Sequence, residues 1–271
     1  MIHSKDQCRL CFGATKKVFA REILKKHVID YFMCSNCGSM QTEKPYWLKE
    51  AYEPVNEMYD TGQVVRSLMN AAFLLAIHRA LDLRDGKVLD YGGGSGLTVR
   101  LLRDVGINAW AYERHGVPRL AAGFQTKDLS SCKMINLCEV VEHFDEPARY
   151  MDAIFAADPE VTVIQTVVFD QPNENWYYLA VEHGQHVFFY SAKALDLIAK
   201  KYERVGVVLF DFVVLLKKHV ADGLLEHSTG ELKPEHLPIF QPRFFELFKR
   251  IADHQYHFAI EDNRRLSGNQ P

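Results

Sequence analysis

The sequence of 271 residues has no apolar run close to the roughly 20 residues that a membrane-spanning helix needs. Its first residues include Lys5 and Asp6 without an apolar stretch behind them, so a secretory signal peptide is not expected. A large charge of one sign is absent too, since the formal net charge is −3. These absences predict a cytoplasmic protein without a membrane partner, whose cysteines are reduced or metal-bound rather than paired in disulfides.

Two common nucleotide-binding motifs are also absent. In the segment Asp90–Gly96 the third glycine that a dinucleotide fingerprint requires falls on Leu97 or Val99, and no G-K-[ST] follows as in a P-loop. What the segment does contain is an acidic residue after an apolar strand, followed by glycines at alternate positions, Gly92, Gly94 and Gly96. Glycines at such a junction let the backbone turn sharply and approach a ligand closely.

The residues after this glycine loop predict a nucleoside-binding β-α-β unit. We expect a helix near 96–105 and a strand over 107–112 that ends at Glu113, a carboxylate placed to accept hydrogen bonds from ribose hydroxyls. A glycine-rich turn in some other α/β protein is the alternative.

The rest of the chain predicts a doubly wound α/β fold. A helix over 62–83 would cover the sheet, and the last two strands are separated only by Asp211, which predicts an antiparallel pair. The expected strands lie near 87–91, 107–112, 133–138, 161–168, 204–210 and 212–217, and the other helices near 146–157 and 191–201. Residues 219–271 form a polar C-terminal extension with a helix expected at about 242–252.

The N-terminal segment carries two C-x-x-C motifs, Cys8 with Cys11 and Cys34 with Cys37, separated by 22 residues. Each motif places two thiolates on one tight turn, and two such turns provide a tetrahedral set of sulfur ligands for Zn²⁺. Four protein ligands leave no position for water, so the predicted zinc is structural. The alternative, a redox-active pair, lacks a thioredoxin-like β-α-β context.

The predicted organisation is a zinc-binding unit (1–45, with short strands near 17–19 and 28–33), a connector with a covering helix (46–85), a cofactor-binding domain (86–218) and the extension (219–271).

The glycine loop together with an acidic residue one strand later resembles motif I of class I S-adenosylmethionine-dependent methyltransferases. The matching positions are Asp90, Gly92, Gly94, Gly96 and Glu113. The resemblance implies that the loop passes the methionine moiety and that Glu113 holds the ribose. It also implies a Rossmann-like seven-stranded sheet with a terminal antiparallel hairpin.

A second block that resembles this family runs from Glu139 to His143 and is followed by D-x-P at residues 145–147. Ligands of open α/β sheets bind outside the carboxyl ends of the strands, so these residues should border the cofactor and the acceptor. We expect Glu139 near the methionine end and His143 on the acceptor side. In the alternative interpretation, Glu142 and His143 cap and tether the next helix.

A third block, residues 176–191, contains an H-x-x-F-Y-S segment that begins at His186 and is similar to the H-x-x-[YF]-F-S segment of deoxysugar C-methyltransferases. In those enzymes the His is a base, and they also begin with two C-x-x-C motifs. The resemblance covers roughly residues 1–218 and implies His186 as the base, with His183 as the neighbouring candidate and Glu182 as its possible partner. We expect no C-terminal α/β domain like that of those enzymes, since only about fifty residues follow the last predicted strand. In other methyltransferases such a His only braces the loop.

The sequence therefore predicts an S-adenosylmethionine-dependent methyltransferase of a small molecule, a sugar or saccharide-derived metabolite. The acceptor would be deprotonated with the help of a histidine, which is well suited to proton removal at neutral pH. A nucleic-acid or protein methyltransferase is the main rival, but only residues 1–50 are weakly basic, with nine Lys and Arg against five Asp and Glu. A non-catalytic zinc- and nucleotide-binding adaptor is a further alternative. The acceptor atom and the oligomeric state are left open.

Overall fold

The computed structural model describes residues 7–53, 62–83, 85–209 and 211–225. Its strands are β1 (Thr15–Ile23), β2 (His27–Cys34), β3 (Met40–Thr42), β4 (Lys87–Tyr91), β5 (Ala109–Tyr112), β6 (Cys132–Cys138), β7 (Val161–Gln165), β8 (Phe188–Phe189), β9 (Arg204–Leu209) and β10 (Phe212–Lys217). Its α-helices are α1 (Leu48–Ala51), α2 (Gln63–Ala80), α3 (Leu97–Asp104), α4 (Pro147–Ala156), α5 (Ala192–Lys201) and α6 (Lys218–Leu225). The helix predicted near 242–252 lies outside the described residues.

The larger sheet has six strands in the order β5-β4-β6-β7-β10-β9. Strands β4 to β7 pair in parallel, whereas β10 runs antiparallel to both β7 and β9. All five residues of β7 are buried, as expected for a strand covered by helices on both faces. The mixed α/β fold with a parallel sheet, predicted from the sequence, is confirmed.

The described residues contain six strands in this sheet where seven were predicted. On the outer edge of β5, where another strand would pair, the chain makes a single parallel bridge between Ala111 and Gln125. Residues 113–124 instead form a loop and a 3₁₀ turn at Arg119–Ala121 that packs against Gly96. This segment contains Pro118 and Gly123 and lacks the alternation of apolar residues that a longer strand requires.

Two hydrophobic cores lie against the larger sheet. Helix α2 covers one face, where Phe73 stacks on Phe212 of β10 with ring centroids 4.0 Å apart. The other core includes residues of α4 and α5 and also three cysteines of the N-terminal segment, Cys8, Cys34 and Cys37. The cysteine motifs are therefore packed into the core that lies under the sheet.

The smaller sheet has the order β1-β2-β3-β8. Its fourth strand, β8, comes from the segment around residue 188, which was predicted to belong to the cofactor-binding domain. The sheet of the N-terminal segment is thus completed by a strand that lies far along the chain. The domain boundaries given above stay a prediction. Across the described ranges, no helix combines the length and apolarity needed to cross a membrane.

Candidate active site

The glycine loop at the end of β4 depends on three glycines for its shape. Gly92, Gly94 and Gly96 have φ angles of 75°, 50° and 82°, a region that residues with a Cβ rarely adopt. A Cβ on Gly92 would lie 2.5 Å from a methyl of Val140, and one on Gly96 would lie 2.7 Å from the backbone nitrogen of Ala121. A Cβ on Gly94, in contrast, would have no atom closer than 3.9 Å. The loop is therefore packed at both ends and open at Gly94.

Glu113, at the end of β5, holds the open part of this loop. Its Oε2 accepts a hydrogen bond of 2.8 Å from the Gly94 N–H, and its Oε1 accepts bonds of 2.7 Å from the N–H groups of Arg114 and His115. The carboxylate is thereby fixed at the edge of the cavity described below. Each carboxylate oxygen has two lone pairs, so Glu113 retains capacity to accept from a ligand hydroxyl.

Asp90 lies beneath the loop and does not line the cavity. Asn136 Nδ2 donates a 2.7 Å hydrogen bond to Asp90 Oδ1, and Asn136 in turn exchanges hydrogen bonds with Asn70 of α2. Burial is the largest influence on the Asp90 carboxyl and raises its pKa to about 6, with Glu113 adding to the shift and Asn136 opposing it. Asp90 thus connects the loop to the interior.

A cavity of about 1630 Å³ opens at the carboxyl edge of the sheet. Ligand pockets usually measure about 300–1,000 Å³, so this one has room for a nucleoside cofactor and a second molecule. Of the residues predicted to bind the cofactor, Asp90 and Gly96 are not on its wall. Those that line it are Gly92, Gly94, Glu113 and Glu139, together with all four predicted catalytic residues, His143, Glu182, His183 and His186.

Three imidazoles form a cluster in this cavity. The ring centroids of His143 and His186 lie 5.0 Å apart, and those of His183 and His186 lie 5.1 Å apart. His186 Nδ1 lies 2.7 Å from the carbonyl oxygen of Tyr178, which can only accept, so Nδ1 carries the proton and Nε2 keeps its lone pair. His143 Nδ1 pairs with the Tyr52 hydroxyl at 3.0 Å.

Burial keeps two of these imidazoles neutral. It lowers the pKa of His143 to about 3 and that of His186 well below its usual range, and the neighbouring histidines add to both shifts. A neutral imidazole offers a lone pair either to a proton or to a metal ion.

His183 differs from His186 in its hydrogen bonding. The backbone N–H of Gln185 donates to His183 Nδ1 at 3.3 Å, so a neutral His183 ring carries its proton on Nε2. In neutral His186 the unprotonated nitrogen is Nε2, whereas in neutral His183 it is Nδ1, which already accepts from Gln185. His186 is therefore better placed than His183 to accept a proton. The role of Glu182 as a partner stays a prediction.

The segment from Glu139 to His143 follows β6. Glu139 has a φ of 51°, an unfavourable conformation for a residue other than glycine, and such residues are frequent at functional sites. The Tyr178 hydroxyl donates to Glu139 Oε2 at 3.4 Å.

Helix α4 begins after Glu146 without a side-chain cap, so Glu142 and His143 do not cap it as the alternative interpretation held.

The loop that carries His183 and His186 is attached to the N-terminal part of the chain. Trp47 Nε1 donates to the carbonyl of Gly184, and Gln185 Nε2 donates to the carbonyl of Ala51, each at 2.8 Å. Two further bonds are Leu24 N–H to the carbonyl of Val181 (2.8 Å) and Arg9 Nη2 to the carbonyl of Val187 (2.6 Å). The side of the cavity that holds the imidazole cluster is thus hydrogen-bonded to the segment that contains the cysteine motifs.

The four cysteines of these motifs come together as their spacing predicted. Their sulfur atoms lie within 4.8 Å of one another, with Cys8 and Cys37 at 3.7 Å and Cys11 and Cys34 at 3.5 Å. In a tetrahedral zinc site with Zn–S bonds of about 2.3 Å the sulfurs are roughly 3.8 Å apart, so the cluster fits Zn²⁺. The buried Arg9 guanidinium, whose Nε and Nη1 have no hydrogen-bond partner within the described part of the chain, would offset the negative charge of four thiolates around a divalent ion.

Sequence reasoning missed several residues that line the cavity. Tyr52 stacks on His115 with ring centroids 3.9 Å apart, and Arg21 and Arg66 reach the cavity from β1 and α2. These side chains belong to no motif and come from segments distant in sequence. Their positions in the predicted connector and zinc unit do not indicate that their side chains point toward the cavity.

A glycine loop between a parallel strand and a helix, an acid at the end of the next strand and a cavity at the carboxyl edge define a nucleoside-cofactor-binding α/β domain. A family model described as a methyltransferase domain matches residues 65–203, about half of the chain. The chain belongs to this family, which confirms the predicted enzyme class, the S-adenosylmethionine-dependent methyltransferases. No curated protein matches the chain.

Solved structures that resemble the chain are methyltransferases with low sequence identity. The mitomycin 7-O-methyltransferase MmcR is 16% identical with a TM-score of 0.40, over 54% of this chain and 52% of that chain. An O-methyltransferase family protein from Burkholderia thailandensis is 10% identical with a TM-score of 0.46, over 63% of this chain and 61% of that one. Human N-acetylserotonin methyltransferase in complex with SAM is 12% identical with a TM-score of 0.47, over 64% and 59%. The chain spans about half the length of the first of these structures, and its acceptor has to be inferred from its own cavity.

Proposed function

We propose that this protein transfers the methyl group of S-adenosylmethionine to a small polar molecule, a sugar or a saccharide-derived metabolite. The observation that carries the proposal is that the open glycine loop and the imidazole cluster face one cavity. Donor and acceptor would therefore meet in a single cavity, as a direct transfer requires.

On the donor side, Gly94 and Glu113 would hold the cofactor. Gly94 leaves room for close approach of the ligand, and the Glu113 carboxylate, held by four backbone N–H groups, would accept from the ribose hydroxyls. The bound cofactor supplies a methyl group on a positively charged sulfur, so the protein mainly aligns the two reactants and handles the acceptor's proton.

On the acceptor side, aromatic and polar groups alternate around the cavity. Trp176, Tyr177 and Tyr178 offer ring faces that can pack on the apolar face of a sugar, while Glu182 and Arg66 can bind its hydroxyls. His186 would accept the acceptor's proton at Nε2, since Nδ1 donates to the Tyr178 carbonyl. Tyr178 thereby orients the base, and His143 and His183 border it.

We infer that Zn²⁺ bound by Cys8, Cys11, Cys34 and Cys37 is structural. All four coordination positions would be filled by thiolates, so the ion would have no open position for substrate. Its contribution would be to fix the N-terminal segment onto which the loop around Gly184 is hydrogen-bonded.

Calorimetric titration with S-adenosylmethionine tests the donor assignment. We expect saturable binding by the wild-type protein and weaker binding, by about tenfold, in Glu113→Gln, because the amide has one acceptor oxygen where the carboxylate has two. Glu182→Gln, which changes the acceptor side alone, is the matched control and should retain donor affinity. Absence of binding by the wild-type protein would overturn the proposed function.

A further inference from the structure

A buried carboxylate that the proposed reaction does not use lies behind the imidazole cluster. Glu142 has no exposed surface, and its Oε2 accepts a 3.1 Å hydrogen bond from Thr166 Oγ1. Its Oε1 is buried and has no hydrogen-bond partner among the described residues. An unpaired buried carboxylate oxygen is costly, so its presence calls for a physical explanation.

The unpaired oxygen lies near His143, and Glu142, His143 and His186 form one cluster of possible metal ligands. One ligand atom from each of Glu142, His143 and His186 lies within 4.8 Å of the other two, and Glu142 Oε1 is 3.9 Å from His143 Nε2. Two imidazoles and one carboxylate are a donor set that divalent transition metals favour. Around a metal with bonds of about 2.1 Å, tetrahedral ligand atoms are roughly 3.4 Å apart, so the 3.9 Å separation has to close by about half an ångström.

Each of the three groups is also held at its other polar atom. His186 Nδ1 is fixed by the Tyr178 carbonyl, His143 Nδ1 by the Tyr52 hydroxyl and Glu142 Oε2 by the Thr166 hydroxyl. Metal-binding imidazoles and carboxylates typically have such outer partners, which fix the tautomer and the orientation of the ligand. The atoms left to bind are His186 Nε2, His143 Nε2 and Glu142 Oε1.

We propose that Glu142, His143 and His186 form a binding site for one divalent first-row transition-metal ion at the floor of the acceptor cavity. His143 and His186 line the cavity, so such an ion would have three protein ligands and open positions toward the acceptor. This site is separate from the cluster of four cysteines, whose sulfur atoms would fill all four positions around an ion. The inference goes beyond the proposed function. A metal ion and a proton compete for the same lone pair on His186 Nε2, so a bound ion would prevent His186 from accepting the acceptor's proton.

The test uses the full-length protein already loaded with zinc at the four cysteines. Co²⁺ is titrated into it and followed by calorimetry and by visible absorption, because imidazole- and carboxylate-bound Co²⁺ lacks the intense charge-transfer bands of a thiolate site. We expect one further equivalent to bind. Glu142→Gln and His186→Gln should each lower its affinity by at least about tenfold, as loss of a ligand or its partners typically does.

His183→Gln is the matched control, because His183 is in the same cluster but outside the ligand set, and it should bind the further equivalent as the wild type does. Far-UV circular dichroism and S-adenosylmethionine binding on the same samples show that each variant is folded. The proposal is overturned if the wild type takes up no further equivalent, or if Glu142→Gln binds Co²⁺ as tightly as the wild type. A protein that binds Co²⁺ but not S-adenosylmethionine would instead contradict the proposed function alone.

Discussion

The donor side and the acceptor side of the cavity are built in different ways. The donor side comes from one continuous β-α-β unit between Asp90 and Glu113, in which the loop shape depends on glycines and one carboxylate. The acceptor side is assembled from separate segments around Tyr52, His143 and residues 176–186, and it is hydrogen-bonded to the N-terminal segment. A site that is local in the sequence tolerates changes elsewhere, whereas an assembled site depends on every segment that supports it.

The largest expected effect is a loss of turnover without a loss of donor affinity. His186→Gln should lower turnover by about 10²–10⁴-fold, the usual contribution of a general base, and leave S-adenosylmethionine affinity within about twofold. Single-turnover kinetics with a saturating donor and an accepted sugar measure it. His183→Gln should have a much smaller effect on turnover. Equal, mild losses in both variants would mean that these histidines only brace the loop.

A pH-dependent effect tests the donor side. Because burial raises the Asp90 pKa from 3.8 to about 6, the folded protein binds a proton more tightly than the unfolded chain. This contribution to stability is complete below pH 3.8 and is lost as pH rises to about 6, a total of about 3 kcal/mol. Between pH 4 and pH 7 the free energy of unfolding of Asp90→Asn should therefore rise relative to that of the wild type. Urea unfolding of the cofactor-free proteins measures this difference. Parallel pH profiles for the two proteins would contradict the shift.

A steric effect on the glycine loop should be next in size. Gly96→Ala forces a Cβ to within 2.7 Å of the Ala121 backbone nitrogen at a φ of 82°, and we expect a loss of roughly 2 kcal/mol in stability together with weaker donor binding. Gly106→Ala is the matched control, since its φ is 86° but nothing lies within 4 Å of the added Cβ. It should cost about 1 kcal/mol and leave donor affinity unchanged. Thermal melts and donor titrations distinguish the two.

The smallest expected effect links the two sides. Removal of the proposed zinc by a chelator, or Cys34→Ser, should lower turnover by about tenfold more than it lowers donor affinity, because the loop at Gly184 and Gln185 is hydrogen-bonded to the N-terminal segment. Zinc content, turnover and donor titration on the same samples test this. If donor affinity and turnover fall in proportion, the N-terminal segment supports the whole fold rather than the acceptor side.

Much of the donor side could be predicted from the sequence, because its residues are close together in the chain. The loop at Gly92–Gly96 and the acid at Glu113 occur where the pattern placed them. The seventh strand was not found in the described residues, since the segment before Gln125 forms a turn against Gly96 instead. Tyr52 and Arg21 were not predicted, because nothing in their local sequence shows that they reach the cavity.

The sequence by itself determined the β-α-β unit, the methyltransferase class and the four-cysteine cluster, since each of these depends on short motifs at fixed spacings. The tertiary structure alone decided that Asp90 lies beneath the loop and that the N-terminal segment carries the acceptor loop. It also showed that His186 keeps Nε2 unprotonated and that Glu142 Oε1 is buried with no hydrogen-bond partner in the ranges that the structure describes. These properties depend on burial and on hydrogen bonds between residues that no motif links, such as Asp90 with Asn136 and Trp47 with Gly184, which spacing along the chain does not record.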